Sequence, residues 1–264
     1  MNVKDLIVKP ISAKDAKKIV QQCHYSGSAA INAYLHFGVF HGDKCGGAMQ
    51  FGPSLQKSNI MPLVKGTGWN NFIELNRMAF ADWLPKNAES RCLAVAMRLI
   101  KKHYPHIDWV VSFADGAQCG DGTIYRASGF VLTAIKPNST MWQMPDGFVF
   151  ADVGLRASSS DLRKKVGYNL GEPFSKFAAR VGCKKIPGFQ LRYIYFLKPD
   201  LIKNLTVPIL PFSTIDKMGA GMYKGKSKCV DSIIANAPCD QQGEGGAEPT
   251  STLHSFLGKE NNEN

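Results

Sequence analysis

Apolar positions change period along this chain so that strands alternate with helices. Residues 3–10 read as a strand, and Ser12 can cap a helix carrying Ala16, Ile19, Val20 and Cys23 on one face. Residues 35–40 and 44–51 read as short strands joined by a His41-Gly42-Asp43 turn. Residues 52–68, rich in Pro, Gly, Ser and Lys, read as a long exposed loop able to close over a substrate. Residues 71–80 alternate as a central strand does, which takes Glu74, Asn76 and Arg77 into the sheet, where charges need partners.

The stretch 84–130 organises the rest. Asn87 can cap a helix with Glu89 in its first turn, and Lys101, Lys102, His103 and Pro105 mark the far end. Residues 108–114 are β-rich without alternation, which suits a strand covered on both faces. Asp115 then lies at the carboxyl edge of that strand, where open α/β sheets place ligands, so the loop 116–122 is the first candidate for chemistry. A short helix over 123–128 ends at Gly129, a good left-handed C′ residue. Strands over 131–136 and 141–144 are expected to complete the sheet. A helix bearing Arg163, Lys164 and Lys165 follows the cap Ser158-Ser159-Ser160-Asp161, a second covers 174–181, and 184–196 is a basic-aromatic turn leading into a strand. The organisation expected is a core over 1–157, a basic extension over 158–210 that completes the domain, and a tail over 211–264 that is disordered from about 240.

Charge narrows the class of partner. The chain of 264 residues has 32 basic against 21 acidic residues, net +11, which favours a polyanion through phosphate contacts and counterion release. Arg163, Lys164, Lys165, Lys184, Lys185 and Arg192 are the candidate nucleic-acid contacts, whereas Phe189, Tyr195 and Phe196 read as core. Seven cysteines include no Cys-x-x-Cys pair, so neither a zinc ribbon nor a disulfide framework is indicated, and a reducing cytoplasm is the expected setting. No signal-peptide region and no membrane-length apolar run are present in the sequence.

The order β-α-β-β-β-loop-α-β-α-β, with Tyr125 four residues before Gly129-Phe130, resembles the GNAT acyltransferase fold over residues 3–150. That fold implies a central mixed twisted sheet flanked by helices, with a glycine-containing loop for the coenzyme A pyrophosphate. Residues 85–91 contain no glycine and put a proline and a carboxylate there. Longer phrases resemble the Mom family of phage DNA-modification proteins: Glu74-Leu75-Asn76-Arg77-Met78, Asn87-Ala88-Glu89-Ser90-Arg91, Ser112-Phe113-Ala114-Asp115-Gly116, Gly120-Asp121-Gly122-Thr123-Ile124-Tyr125 and Pro187-Gly188-Phe189-Gln190-Leu191-Arg192-Tyr193. These phrases fall within 24–196.

The resemblance implies conversion of adenine in double-stranded DNA to N6-carbamoylmethyladenine in a bacterial host's cytoplasm, protecting phage DNA from restriction. The N6 amino group is a weak nucleophile and is stacked in the duplex, so the base must be flipped, positioned and deprotonated. Asp115 and Tyr125 are the candidates for proton handling, with His24 and Tyr25 completing the pocket. Arg77, Asn87, Ser90 and Arg91 are assigned to the donor, which is an activated acyl group, either a glycyl-tRNA-type aminoacyl donor or acetyl-coenzyme A. His24, Asp115 and Tyr25 also offer ligands for non-haem iron, although no His-x-Asp spacing marks a site. An ordinary GNAT acetylating a small molecule, tRNA or protein, and a non-catalytic DNA-binding protein, are the competing readings.

Overall fold

The computed structural model describes residues 2–115, 121–138, 140–156, 161–186, 188–220, 222–223 and 226–227. In chain order the elements are β1 (Ile7–Pro10), α1 (Ala13–Cys23), β2 (Leu35–His41), β3 (Lys44–Gly52), α2 (Lys57–Ile60), β4 (Phe72–Phe80), α3 (Ala88–His103), β5 (Trp109–Asp115) and α4 (Thr123–Ala127). They continue with β6 (Val131–Pro137), β7 (Met141–Gln143), β8 (Val149–Ala151), α5 (Asp161–Val166), α6 (Phe174–Val181), β9 (Lys184–Lys185), β10 (Phe189–Phe196) and α7 (Ser213–Lys217). Seven strands form one sheet in the order β1-β2-β3-β4-β5-β10-β6, and β8-β7-β9 form a second. Within the large sheet only β4 and β5 are parallel neighbours. This is the mixed, helix-flanked sheet expected of a GNAT-like fold.

Helices cover both faces. α1 starts where Ser12 Oγ accepts from the Asp15 N–H at 3.1 Å, and it buries Ala16 and Val20 with Ala48 and Ala79 on one side of the sheet. α3 covers the other side, where Cys92, Leu93, Ala96, Met97 and Ile100 pack with Ile73, Leu75, Val110, Leu132 and Tyr193. The unbroken apolar run of β5 is explained by this double covering: Val110 and Ala114 join the α3-side core, while Trp109 and Val111 join a second cluster with Phe72 and Ile194. At the start of α3 the Asn87 side chain makes no capping bond, contrary to expectation. Asn87 instead takes a left-handed backbone (φ 67°), which turns the chain into the helix.

Three further expectations are corrected. Residues 3–5 form a 3-10 turn closed by a reciprocal Asn2–Asp5 capping box, so the first strand begins at Ile7. Residues 52–68 are not simply exposed: α2 and the turn after it bury Ile60, Leu63 and Val64 against Phe72 and Trp109. β7 does not complete the large sheet. The ladder of β6 ends at Pro137, which has no N–H to continue it, and the chain leaves to build the β8-β7-β9 sheet. There α5 and α6 enclose a separate core of Phe150, Leu155, Leu162, Val166, Phe177 and Cys183. β10 then returns between β5 and β6, so the extension 158–210 contributes an internal strand. The loop 116–120, the cap 158–160 and the tail beyond 227 lie outside the described residues.

One irregularity sets up the site. The β3–β4 register pairs Gln50 with Arg77 but Phe51 with Leu75, leaving Asn76 as an extra residue on β4. Such a bulge bends its strand and switches the side-chain alternation. Leu75 and Met78 accordingly both pack on the α3 side, while Ala79 packs on the α1 side. The β4–β5 ladder runs from Phe72–Trp109 to Leu75–Ser112 and stops there. Beyond that pair the two central strands have no ladder between them, and the sheet opens.

Candidate active site

On the α1 side of this opening lies a cavity of about 490 Å³ whose lining includes Glu74, Phe113, Ala134, Lys136, Gln190 and Arg192. The ladders place these residues together, because β10 pairs Arg192 with Phe113 and Ala134, and Gln190 with Asp115 and Lys136. Asp115, two residues after Phe113 on β5, therefore falls on the same strand face. Arg192 is anchored by its Nε donating to Thr133 Oγ1 (2.9 Å) and Nη2 to Thr133 O (3.2 Å), and burial lowers its pKa. Burial also pushes the Glu74 carboxyl up, against the opposing pull of hydrogen bonds from Ser54 and Asn76 and the charge of Arg77. A carboxyl so placed takes up a proton more readily than an exposed one and can then donate as well as accept.

The turn after α1 is fastened to the same side. Arg77 Nε donates to Ser28 O at 2.9 Å and Nη1 to Asn76 O at 2.7 Å, so its guanidinium ties the bulge to the 24–28 turn. Within that turn the Ser26 N–H donates to His24 Nδ1 (3.2 Å), and Ser26 Oγ lies 2.8 Å from the same nitrogen. A backbone N–H can only donate, so Nδ1 is the acceptor and the neutral ring carries its proton on Nε2. Burial, and then the Arg77 charge, lower the His24 pKa to about 3. His24 is consequently a neutral hydrogen-bond donor at ordinary pH, with Tyr25 tilted against its ring at 4.3 Å.

A second cavity, of about 380 Å³, opens on the α3 side between the start of α3 and α4. Its lining includes Asp82, Lys86, Asn87, Glu89, Ser90 and Thr123. Two carboxylates against one ammonium make this a poor seat for a pyrophosphate, and no glycine lets backbone approach one. Behind it, Ser128 Oγ donates to Ile124 O (2.8 Å) and lies 3.2 Å from Ser90 O, which brings the end of α4 against α3. Tyr125 is buried there, stacked on Tyr193 at 4.9 Å and edge-on to Phe130 at 5.4 Å. Tyr193 Oη donates to Asp121 O at 2.6 Å, and its pKa is raised, chiefly by burial.

The profile of the Mom protein family matches residues 5–214. This chain belongs to that family. It is 37% identical over 207 residues to methylcarbamoylase mom of Escherichia phage Mu, covering 78% of this chain and 81% of that protein. Among solved structures, a Bacillus subtilis acetyltransferase in complex with CoA is 13% identical, with TM-score 0.40 over 72% of this chain and 98% of that one. A spermidine/spermine N-acetyltransferase of Vibrio cholerae in complex with manganese ions is 8% identical, with TM-score 0.41 over 76% and 98%.

In this Mom-family chain the residues singled out from sequence fall into three places. Asp115, His24, Tyr25 and Arg77 belong to the α1 side, so the guanidinium assigned to a donor is spent on the 24–28 turn. Asn87 and Ser90 line the α3-side cavity, Tyr125 is the buried residue of α4 and faces the core, and Arg91 is exposed outside the cavity lining. Among the basic residues Lys164, Lys184 and Lys185 are exposed, and Lys165 Nζ rests 3.6 Å from the Phe148 ring centroid. Arg192 is not with them but in the α1-side cavity. No group of three or more His, Cys, Asp or Glu converges among the described residues, so His24 and Asp115 gather no further such ligand there. Glu74, Phe113, Lys136 and Gln190 are additional site residues; strand alternation alone would not have grouped them, because the bulge at Asn76 carries no sequence signature.

Proposed function

We propose that this protein is a transferase that modifies N6 of adenine in double-stranded DNA, giving N6-carbamoylmethyladenine and shielding phage DNA from host restriction. The observation that carries the reading is membership of the Mom family with 37% identity to a protein named methylcarbamoylase. Two features of the fold support it. Cavities lie on both sides of the sheet next to the β4–β5 opening, one for a flipped base and one for a donor. The net charge of +11 suits a polyanion.

The adenine enters the α1-side cavity, stacks on Phe113 and presents N6 to the opening. Asp115 takes the proton that N6 loses, the Nε2–H of His24 and Tyr25 orient the base, and Tyr125 supplies a proton to the leaving oxygen. β4 beyond Leu75 has no β5 partner, so its backbone is free to hold the donor's carbonyl. Lys164, Lys165, Lys184, Lys185 and Arg163 contact phosphates, with Arg192 at the base. Asn87 and Ser90 hold the donor.

The acidic α3-side cavity does not fit coenzyme A, and it suits an acyl group carrying an ammonium. A glycyl ester such as glycyl-tRNA meets that requirement. N6 displaces the ester oxygen to give Ade-NH-CO-CH2-NH2; the new amine then attacks C6 through a five-membered ring, and the C6–N6 bond breaks. The product Ade-NH-CH2-CO-NH2 is an isomer of the first adduct, so no co-reactant is required. Mass spectrometry of nucleosides from plasmid DNA in expressing cells tests this, with parallel feeding of labelled glycine or acetate. A carbamoylmethyl increment with glycine nitrogen bound to C6 is expected; unmodified deoxyadenosine would overturn the reading.

A further inference from the structure

Two large aliphatic side chains stand almost wholly in water: Leu55, in the lining of the α1-side cavity, at 88% relative exposure, and Ile31, whose neighbour Asn32 bonds the loop that carries Leu55, at 90%. A single exposed aliphatic is ordinary. These two differ because the backbone on either side of each is pinned. The Ala30 N–H donates to Gln50 Oε1 (3.0 Å) and Asn32 Nδ2 to Pro53 O (2.7 Å), which fixes Ile31 at the tip of a turn. Asn76 Nδ2 donates to the same Pro53 oxygen at 3.4 Å, so the bulge anchors the stem of the second loop. Ser54 is buried at the cavity wall, and Gln56 O accepts from the N–H groups of Asn59 (2.9 Å) and Ile60 (3.1 Å), with Ile60 buried below. Leu55 is held out between those anchors at the rim of the cavity. Neither side chain is left free to fold back onto the apolar surface that would shelter it.

Extruding a base from a duplex leaves a gap in the stack, and apolar side chains fill such gaps because they gain contact there and leave water at no cost in lost hydrogen bonds. We infer that Leu55 and Ile31 form a wedge that enters duplex DNA beside the target adenine and keeps the stack open while the base occupies the cavity. This rests on the reading of the protein as an adenine-modifying transferase. Lys136, exposed in the cavity lining, supplies positive charge where the backbone of the extruded nucleotide must pass.

The test uses the full chain and duplex oligonucleotides with pooled flanking sequences in which 2-aminopurine, bright when unstacked, stands opposite thymine or an abasic site. Wild type is expected to brighten both. Leu55→Ala and Ile31→Ala each bind the matched duplex within about twofold of wild type but brighten it about tenfold less, while brightening the abasic duplex as wild type does. Leu55→Met restores the matched signal. A Leu55→Ala protein that brightens the matched duplex as wild type does overturns the wedge, and so does one that fails equally on both DNAs. A wild type that brightens neither DNA overturns the base-extrusion reading, and the wedge falls with it. Both residues are exposed, so loss of fold does not mask the result.

Discussion

His24 makes stability depend on pH in a way that a single substitution isolates. In the folded chain its pKa is lowered from 6.5 to about 3. The unfolded chain therefore binds the proton more tightly, so the stability this group contributes is complete above 6.5 and is lost as pH falls towards 3. Between pH 7 and pH 5 the unfolded imidazole becomes almost fully protonated while the native one does not, which costs about 2 kcal/mol. Urea denaturation at both pH values, on wild type and His24→Gln, measures it. His36, also shifted down by burial, is present in both proteins and cancels in the difference. The variant is expected to start less stable by about 1 kcal/mol, since Nδ1 no longer accepts from Ser26, and then to lose about 2 kcal/mol less on acidification. Equal losses in the two proteins would refute the buried, neutral imidazole.

Asp115→Asn and Tyr125→Phe are each expected to abolish adenine modification in expressing cells while leaving DNA binding within about twofold by gel shift, since neither is among the cations expected to hold phosphates. Replacing Lys164, Lys184 and Lys185 by Glu should weaken DNA binding and flatten its salt dependence by about 0.9 in log–log slope for each phosphate no longer neutralised, read by titration across salt. Gly52→Ala places a Cβ 2.6 Å from Asn32 O and 2.7 Å from Ala33 Cα, both backbone, so the two pinned loops must separate. A loss of about 1–3 kcal/mol is expected in thermal unfolding, with a larger loss of modification.

The elements were legible because their periodicity is local. α6 at Phe174–Val181 and the Gly129 turn (φ 84°) fall where the apolar pattern and a C′ glycine put them. Asp115 was found at the carboxyl edge of β5 for the same reason. Pairing across long sequence distance was not legible: nothing near Met141 says that β7 joins β9, or that β10 crosses back to sit against β5. The candidate site was readable only as separate residues. Glu74 and Arg77 flank a bulge whose position is fixed by how β3 meets β4, and this decides that both serve the α1 side. Arg192 reads as one more surface cation in a basic segment, yet the sheet encloses it beside Thr133.

The position of β10 makes the order of synthesis matter. Seven register pairs join it to β5, and until residues 189–196 leave the ribosome that whole edge of β5 is an open template for any other strand. The 51 residues from 138 to 188 have to emerge first, and their small core can close on its own side chains before the large sheet is complete. A fragment ending ahead of Phe189 would thus carry α3 and Asp115 on a half-built sheet prone to sticking to its neighbours. The last strand laid into the sheet is an internal one, and a message truncated ahead of it leaves β5 with an open edge on which aggregation competes with folding.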